Sequence, residues 1–262
     1  MADRSAIAGL LKGKKGLVVG VANQNSIAWG CARGLADAGM DLAFTYQGEI
    51  MRERVEKTTA EMSNALRLEM DVQRDEQIEE VFSTLRDRWG QLDFLLHSVA
   101  YAPKAAMANP FLETAREDFN VALEVSTYSL VSLSRAAAAM MPEGGSIVTM
   151  SYYGAEKAVP GYNVMGVAKA ALEASVRYLA VDLGRQGIRI NAISAGAVNT
   201  LAARGVAHFR DLMKITAERS PMGRAIDIDE VANATVFLAS QLGSGVTGET
   251  IYVDTGFHVT AG

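Results

Sequence analysis

The sequence predicts an α/β fold of the Rossmann type: a doubly wound, mainly parallel seven-stranded sheet with helices on both faces. First, short apolar runs alternate with segments of helical period along the chain, as is typical of such sheets. Second, the 262 residues are 49% hydrophobic and 21% charged, which is enough for one large core. Third, no low-complexity linker, charge block or internal repeat interrupts the pattern. We therefore expect one domain over residues 1–262.

The individual elements follow from apolar runs and from their stop signals. Strands are expected at residues 17–21, 41–46, 65–70, 92–98, 146–151, 188–194 and 250–253, where apolar residues are continuous or alternate. Helices are expected at residues 26–38, 50–62, 75–89, 117–141, 161–183 and 229–240. Gly39 is the stop signal of the first helix. Residues 196–209 have no clear period, and we expect a mobile, substrate-binding loop near residues 196–212.

Composition argues against several classes of protein. The net charge of −5 gives no electrostatic case for binding nucleic acid or an anionic membrane. Cys31 is the only cysteine, so no intrachain disulfide can form, and the three histidines lack metal-ligand spacing. No metal is expected. The first residues form no signal-peptide pattern and no apolar run reaches about 18 residues, so a cytoplasmic protein is expected.

A turn of small residues connects the first strand to the first helix and is a candidate phosphate site. It runs from Gly20 through Ser26 and Ile27 to Gly30. Free N–H groups and the helix dipole would face a pyrophosphate there, and small residues would permit a close approach. The Gly-x-Gly-x-x-Gly fingerprint is missing, however. A tight turn with Ser26 as an ordinary N-cap explains the pattern equally well.

Residues after the second and third strands are candidates for the adenosine end of a dinucleotide. An acidic residue at the end of the second strand usually selects NAD, and a basic one selects NADP. Gln47 can bond to a ribose hydroxyl but offers no charge to a 2′-phosphate, and Arg52 and Arg54 are assigned to the solvated face of the next helix. NADH is therefore expected in preference to NADPH. Asp71 and the backbone of Val72 are candidates for the adenine edge, although Asp71 also suits a helix-initiating turn.

Tyr162 and Lys169 are the candidate catalytic pair. They lie seven residues apart, nearly two helical turns, so both side chains are expected to leave one face of a helix. The ammonium would favour a polarised or ionised phenol. The phenol would donate a hydrogen bond or a proton to an oxygen that gains negative charge. The same two residues also occur by chance on solvated helices.

Taken together, these motifs resemble the short-chain dehydrogenase/reductase superfamily and, within it, the enoyl-acyl-carrier-protein reductases. The resemblance covers about residues 12–259 and is carried by residues 20–30, 42–47, 97–103, 151–156, 162–166, 189–196 and 200–203. Ordinary members of the superfamily have a serine before a Tyr-x3-Lys pair. This chain has Tyr-x6-Lys, and Tyr152 lies where the serine would be. That combination is specific to the enoyl reductase branch.

The resemblance implies roles for individual residues. Tyr162 would bond to the carbonyl of a trans-2-enoyl thioester, Tyr152 would lie near that carbonyl, and Lys169 would hold the nicotinamide ribose. The cofactor site would consist of Gly20, Ser26, Ile27, Gln47, Asp71, Val72, Ser98, Val99, Ala100, Lys169, Val198, Thr200 and Ala202. The substrate site would consist of Ala102, Tyr152, Tyr162, Met165 and Phe209. An acyl-carrier-protein-bound substrate, reduction by NADH in fatty-acid biosynthesis and a homotetramer are implied in the same way.

Two positions depart from the family pattern, and several functions stay open. Ala197 replaces a frequent proline and Ala100 a frequent glycine; neither change removes a group that the chemistry needs. An ordinary carbonyl or alcohol oxidoreductase, a reductase of coenzyme A thioesters and a catalytically idle nucleotide-binding protein are the alternatives. The sequence leaves the source of the α-carbon proton undecided.

Overall fold

The computed structural model describes residues 7–200 and 209–260, and the side chains of Phe209 and Arg210 lie outside that description. Its centre is a seven-stranded sheet in the order β3-β2-β1-β4-β5-β6-β7, and every neighbouring pair is parallel. The strands are β1 Lys15–Val19, β2 Asp41–Tyr46, β3 Leu66–Glu69, β4 Phe94–His97, β5 Gly145–Ser151, β6 Ile188–Ala195 and β7 Thr250–Val253. The predicted fold class is confirmed.

Helices cover both faces of the sheet. Within the described residues they are α1 Ile27–Asp37, α2 Gly48–Thr58, α3 Asp75–Trp89, α4 Lys104–Ala108, α5 Arg116–Leu123, α6 Ser129–Ala138, α7 Asn163–Gly184, α8 Phe209–Arg219 and α9 Ile228–Ala239. Short 3₁₀ turns lie at Phe111–Glu113, Tyr153–Ala155, Gln241–Gly243 and Phe257–Val259. None of the helices within residues 7–200 and 209–260 is long and apolar enough to cross a membrane.

Alternation along each strand divides the core into two layers. Val18 of β1 packs with α1 and α9 on one face, while Leu17 and Val19 pack with α3, α6 and α7 on the other. The first layer needs close helix contact: a Cβ on Gly30 would lie 1.9 Å from Ile228 Cγ2. Cys31 is fully buried in that layer, where burial raises the pKa of its thiol to about 12, so it behaves as a small apolar side chain.

The predicted helix over residues 117–141 is wrong as a single element. A π-helical turn, Glu124–Tyr128, separates α5 from α6. The hydroxyl groups inside this turn bond to backbone outside the helix: Ser126 Oγ donates to the Tyr101 carbonyl (3.1 Å), and Thr127 Oγ1 donates to the Ala168 carbonyl (2.8 Å). Apolar periodicity does not detect an inserted residue of this kind, and such turns are frequent at functional sites.

The segment predicted as a loop near residues 196–212 is shorter than expected. Its last part is helical, because α8 begins at Phe209. The sequence analysis does not predict α8, because the apolar residues of this helix are interspersed with charged ones over only 11 residues. Residues 201–208 lie outside the described residues.

His97 ends β4 and is fully buried. Its Nε2 lies 2.8 Å from Ser129 Oγ, and its Nδ1 lies 2.8 Å from Thr149 Oγ1. Ser129 already donates its one proton to the Val125 carbonyl, so it accepts from Nε2–H and leaves Nδ1 as the acceptor for Thr149. Burial, and secondarily the charge of Lys169, lowers the pKa of His97 to about 3. The imidazole is therefore neutral in the folded protein.

A neutral buried histidine makes stability fall in acid. The pKa of His97 is lower in the folded than in the unfolded chain, so its contribution to the free energy of unfolding is complete above pH ~6.5. That contribution is lost as the pH falls towards 3, by up to about 1.4 kcal/mol per pH unit. Urea titrations of the wild type and His97→Asn between pH 7 and pH 4.5 should show a smaller acid slope in the variant. The control variant His258→Asn leaves His97 in place, so it should retain the part of the acid slope that His97 causes. Equal slopes for His97→Asn and the wild type would contradict this account.

Candidate active site

A cleft of about 460 Å³ opens at the carboxyl ends of β1, β4, β5 and β6. Ligands of doubly wound sheets bind at this edge, next to the point where the strand order reverses, here between β1 and β4. Its walls bring together twelve of the predicted site residues: Gly20, Ile27, Ser98, Val99, Ala100, Ala102, Tyr152, Tyr162, Met165, Lys169, Val198 and Thr200. Ala22, Tyr101, Ser151 and Leu212, from the predicted motifs and loop, line it as well. Met107 and Met150 also line it, and neither was a predicted site residue.

Gly20 lies at the start of the cleft floor. Because it has no side chain, a ligand can approach the backbone closely there. Its φ of +111° lies in the region that favours glycine, and an added Cβ would lie 2.1 Å from the Ser98 carbonyl oxygen. The loops after β1 and β4 are therefore in direct contact, and Ser98 N–H also donates to the Val19 carbonyl at 2.9 Å. Gly20, Ser98 and Ile27, the first residue of α1, line this end of the cleft. This cradle fits a pyrophosphate at a helix N-terminus.

Ser26 occupies the predicted N-cap position of α1 but makes no capping bond with its side chain. Its Oγ donates to the Asn23 carbonyl (2.7 Å) and accepts from the Ala22 N–H (3.5 Å). Ser26 thus stabilises the turn rather than satisfying the first N–H groups of the helix. Those N–H groups stay available to a bound anion, in keeping with the predicted phosphate site.

Gln47 and Asp71 lie together outside the cleft, at the ends of β2 and β3. Gln47 Nε2 donates to Asp71 Oδ2 at 2.8 Å, and Asp71 N–H donates to Gln77 Oε1 at 2.6 Å. Arg52 is exposed and pairs with Glu56 (3.0 Å) and Glu49 (3.5 Å) on its own helix, as expected for a solvated face. The carboxylate–amide pair suits ribose hydroxyls and holds no cation for a 2′-phosphate. Val72 follows directly and is half-buried against the α3 side of the core.

Tyr152 and Tyr162 meet edge to face in the cleft. Their ring centroids are 4.9 Å apart and the planes make an angle of 67°. Burial raises the pKa of Tyr152 to about 12. Burial raises the pKa of Tyr162 further, and the charges of Tyr152 and Glu173 act in the same direction. Of the two predicted states of the phenol, polarised or ionised, the raised pKa values favour the un-ionised one, so both tyrosines are hydroxyl donors near pH 7.

The position of Tyr162 depends on local backbone that the sequence did not reveal. Tyr162 precedes α7, and Asn163 has a φ of +40°, in the left-handed region. The Asn163 side chain stabilises this turn by donating to the carbonyls of Met107 (3.1 Å) and Asn109 (2.8 Å). The ring of Tyr162 lies against Gly154, where a Cβ would come within 2.4 Å of it. We predicted that Tyr162 and Lys169 leave one face of a regular helix. In the structure Tyr162 precedes the helix, so the two side chains do not project from one regular face.

Lys169 is 5% exposed and lies at the inner end of the cleft. Its Nζ donates to the Met150 carbonyl at 2.6 Å, which fixes the ammonium next to the last residue of β5. Burial lowers the pKa of Lys169 to about 8, and Glu173 acts to raise it. An ammonium with further donor protons at this point can hold hydroxyl groups of a ligand.

The outer wall of the cleft is apolar. Met165 is buried beside it, and Ala102 packs with Met107 on a small cluster that includes Val164. Ser126 holds the adjoining loop, because its Oγ accepts from the N–H of Tyr101 at 3.0 Å and donates to the carbonyl of the same residue. A wall of this kind suits a hydrocarbon chain. The predicted contacts of Ala202 and of the Phe209 side chain lie outside the described residues.

Metal chemistry finds no support in the described part of the chain. Within residues 7–200 and 209–260, no three His, Cys, Asp or Glu side chains lie together in a way that could hold an ion. The groups at the cleft are phenols, an ammonium and backbone amides.

Comparison with known proteins gives consistent results. Residues 20–258 match the family model of enoyl-(acyl carrier protein) reductase. An enoyl-[acyl-carrier-protein] reductase [NADH] of Rhizobium meliloti is 48% identical over 95% of this chain and 92% of its own, and one of Nostoc sp. is 49% identical over 95% and 98%.

Solved structures of the same kind superpose closely. The NADH enoyl-acyl-carrier-protein reductase of Aquifex aeolicus has a TM-score of 0.94 and 46% identity, and covers 97% of this chain and 100% of its own. The Anaplasma phagocytophilum enzyme in complex with NAD has a TM-score of 0.94 and 44% identity, with 97% of each chain covered. The Bacillus cereus enzyme, solved with NADP+ and an indole naphthyridinone, has a TM-score of 0.94 and 45% identity, and covers 96% of this chain and 99% of its own. With the paired tyrosines, the buried lysine and the Gly20 cradle in one cleft, the chain belongs to the enoyl-acyl-carrier-protein reductase family.

Proposed function

We propose that this protein reduces the carbon–carbon double bond of trans-2-enoyl thioesters carried by acyl carrier protein, with NADH as the reductant, in fatty-acid biosynthesis. The observation that carries the proposal is the pair of neutral phenols, Tyr152 and Tyr162, facing the buried ammonium of Lys169 beside an apolar wall. A thioester needs a donor at its carbonyl oxygen and a hydrocarbon pocket for its chain. The cleft supplies both.

The residues of the cleft divide the work between cofactor and substrate. The cradle of Gly20, Ser26 and Ile27 would hold the pyrophosphate, Gln47, Asp71 and Val72 the adenosine, and Lys169 the nicotinamide ribose. Ser98, Val99, Ala100, Val198, Thr200 and Ala202 would complete the cofactor site. When bound, the nicotinamide supplies a hydride to the β-carbon of the substrate.

Tyr162 would act at the carbonyl oxygen. Reduction at the β-carbon moves negative charge onto the thioester oxygen, and a fixed hydroxyl donor in a partly dry cleft stabilises the enolate. Because its pKa is raised by burial, Tyr162 keeps its proton and donates a hydrogen bond instead of ionising. Tyr152, at 4.9 Å between ring centroids, is close enough to donate to the same oxygen or to orient Tyr162.

An ordinary carbonyl reductase is disfavoured by Tyr152 and by the Tyr-x6-Lys spacing. Such enzymes have a serine at the position of Tyr152. The neighbouring Ser151 Oγ donates its proton to Glu173. A coenzyme A thioester would fit the same cleft, so acyl carrier protein as the carrier, a homotetrameric assembly and a cytoplasmic location are parts of this proposal that rest on the family. That the chain forms one domain is part of the same proposal.

Cofactor preference tests the adenosine end. Without a cation at Gln47, kcat/KM with crotonyl thioesters should be higher with NADH than with NADPH. Gln47→Arg should raise the efficiency with NADPH relative to NADH, and Arg54→Gln on the exposed face of α2 should not change the ratio. Equal efficiency of the wild type with both cofactors would overturn the assignment and make Arg52 or Arg54 the 2′-phosphate partner.

Lys169→Ala tests the ribose contact. Loss of a charged donor should weaken NADH binding by about 1.5–3 kcal/mol, roughly 10- to 150-fold in Kd. In the wild type, NADH affinity should fall as the pH rises through about 8, because Lys169 then loses its proton. Fluorescence titration measures both effects, with the exposed Lys12→Ala as control. Unchanged affinity in Lys169→Ala would show that the lysine does not hold the cofactor.

Tyr162→Phe removes only a hydroxyl, so the fold and NADH binding should survive. The rate of enoyl thioester reduction should fall by roughly 10²–10³ if this donor acts alone. If Tyr152 can substitute for Tyr162, a smaller fall in rate is expected. In that case the activation free energy should rise in the Tyr152→Phe/Tyr162→Phe double variant by more than the sum of the rises in Tyr152→Phe and Tyr162→Phe. Tyr178→Phe, exposed on α7, is the control. Unaffected single-turnover reduction in all three active-site variants would mean that the tyrosines are structural.

A further inference from the structure

Glu173 is a buried carboxyl that the mechanism above does not use. It lies one helical turn after Lys169 on α7 and is 8% exposed. Side chains four residues apart on a helix share one face. Both of these reach the end of β5, where Lys169 Nζ donates to the Met150 carbonyl and the next residue, Ser151, donates its hydroxyl to Glu173 Oε1. Two consecutive residues of one strand thus tie the ammonium and the carboxyl together.

Other ionisable groups also face this pair. Arg177 lies on α7 beyond Glu173, and Glu156 follows β5 with its carboxylate accepting from Tyr252 of β7. Asp254, at the end of β7, acts on Tyr252. The charge of Glu173 also acts on the phenol of Tyr162.

On the other side of Lys169, His97 of β4 is close enough to be affected by its charge. His97 is neutral, however, and so provides no counter-charge. Among the described residues, Glu173 is the carboxylate that acts on Lys169.

We propose that Glu173 is a positioning residue that serves as the counter-ion of Lys169, keeping it an ammonium and, through Ser151, holding the end of β5 against the cofactor site. This inference rests on the proposed use of Lys169 as the ribose anchor. Placing a cation in a dry cleft is unfavourable unless an opposite charge compensates it. Glu173 supplies that charge from one helical turn further along α7, and it is not among the residues that line the cleft.

The pKa directions are consistent with this arrangement. Burial lowers the pKa of Lys169 to about 8, and Glu173 is the group that opposes the fall. Burial raises the pKa of Glu173, while the Ser151 hydroxyl is the strongest of the groups that lower it. Burial thus moves the two pKa values towards each other, and each of the two charges opposes that movement in its partner.

Glu173→Gln is the decisive variant, because the amide oxygen still accepts from Ser151 while the charge is gone. NADH affinity should be measured by fluorescence titration from pH 6 to pH 9.5. We expect the alkaline loss of affinity to begin at lower pH than in the wild type, by on the order of one pH unit. Glu173→Asp, which retains the charge, should keep the wild-type profile. The exposed Glu79→Gln on α3 removes the same charge elsewhere and should leave the profile unmoved.

Ser151→Ala separates charge from structure. It removes the hydrogen bond but keeps the carboxylate, so the pH of the alkaline limb should stay that of the wild type. A wild-type limb in Glu173→Gln, or an equal shift in Ser151→Ala, would overturn the proposal. Because binding is the readout, failure of the wild type to reduce enoyl thioesters would count against the proposed function alone. Normal enoyl reduction with an unmoved limb would count against Glu173 alone.

Discussion

The hydrogen bond from Lys169 Nζ to the Met150 carbonyl is the contact on which the site geometry depends. With a donor–acceptor distance of 2.6 Å, it joins Lys169 in the first half of α7 to the carboxyl end of the central strand β5. Since β5 pairs with both β4 and β6, its end is fixed in the sheet, and the bond transfers that fixed position to α7. Thr127, which donates to the Ala168 carbonyl, holds the same turn of α7 from the opposite side. The ammonium therefore lies at one defined point of the cleft.

Backbone irregularities then bring the tyrosines to that point. A regular helix through residues 162 and 169 would direct the phenol along the helix surface. The left-handed Asn163 instead turns the chain at the first residue of α7, and Gly154 leaves room for the Tyr162 ring. A conformation that most residues avoid is maintained here by two hydrogen bonds from the Asn163 side chain. Local strain of this kind commonly occurs at functional sites, where it orients reactive groups.

The parts of this molecule that the sequence predicted share a physical cause: they depend on burial periodicity or on residue chemistry. All seven strands and the helices α1, α2, α3, α7 and α9 follow from apolar runs, and the cleft residues from motifs at the strand ends, whereas the short α4 and α8 were not predicted. The π-helical turn at Glu124–Tyr128 was missed because one inserted residue leaves the apolar pattern almost unchanged. The Asn163 turn and the Ser151–Glu173 bond were missed because they depend on contacts between segments distant in sequence. Gln47 and Asp71 were each predicted, but their mutual hydrogen bond was not.

Dryness of the cleft affects the phenols and the ammonium in opposite ways. Removing water keeps Tyr152 and Tyr162 protonated and strengthens each hydrogen bond that they donate to a developing oxyanion. The same removal lowers the pKa of Lys169 towards physiological pH and so works against the charge that the ribose contact needs. A single environment satisfies both requirements only if an anion stabilises the lysine without reaching the substrate oxygen. Glu173 lies one turn after Lys169 on α7, does not line the cleft and accepts a hydrogen bond from Ser151, so it meets both demands in the proposed arrangement.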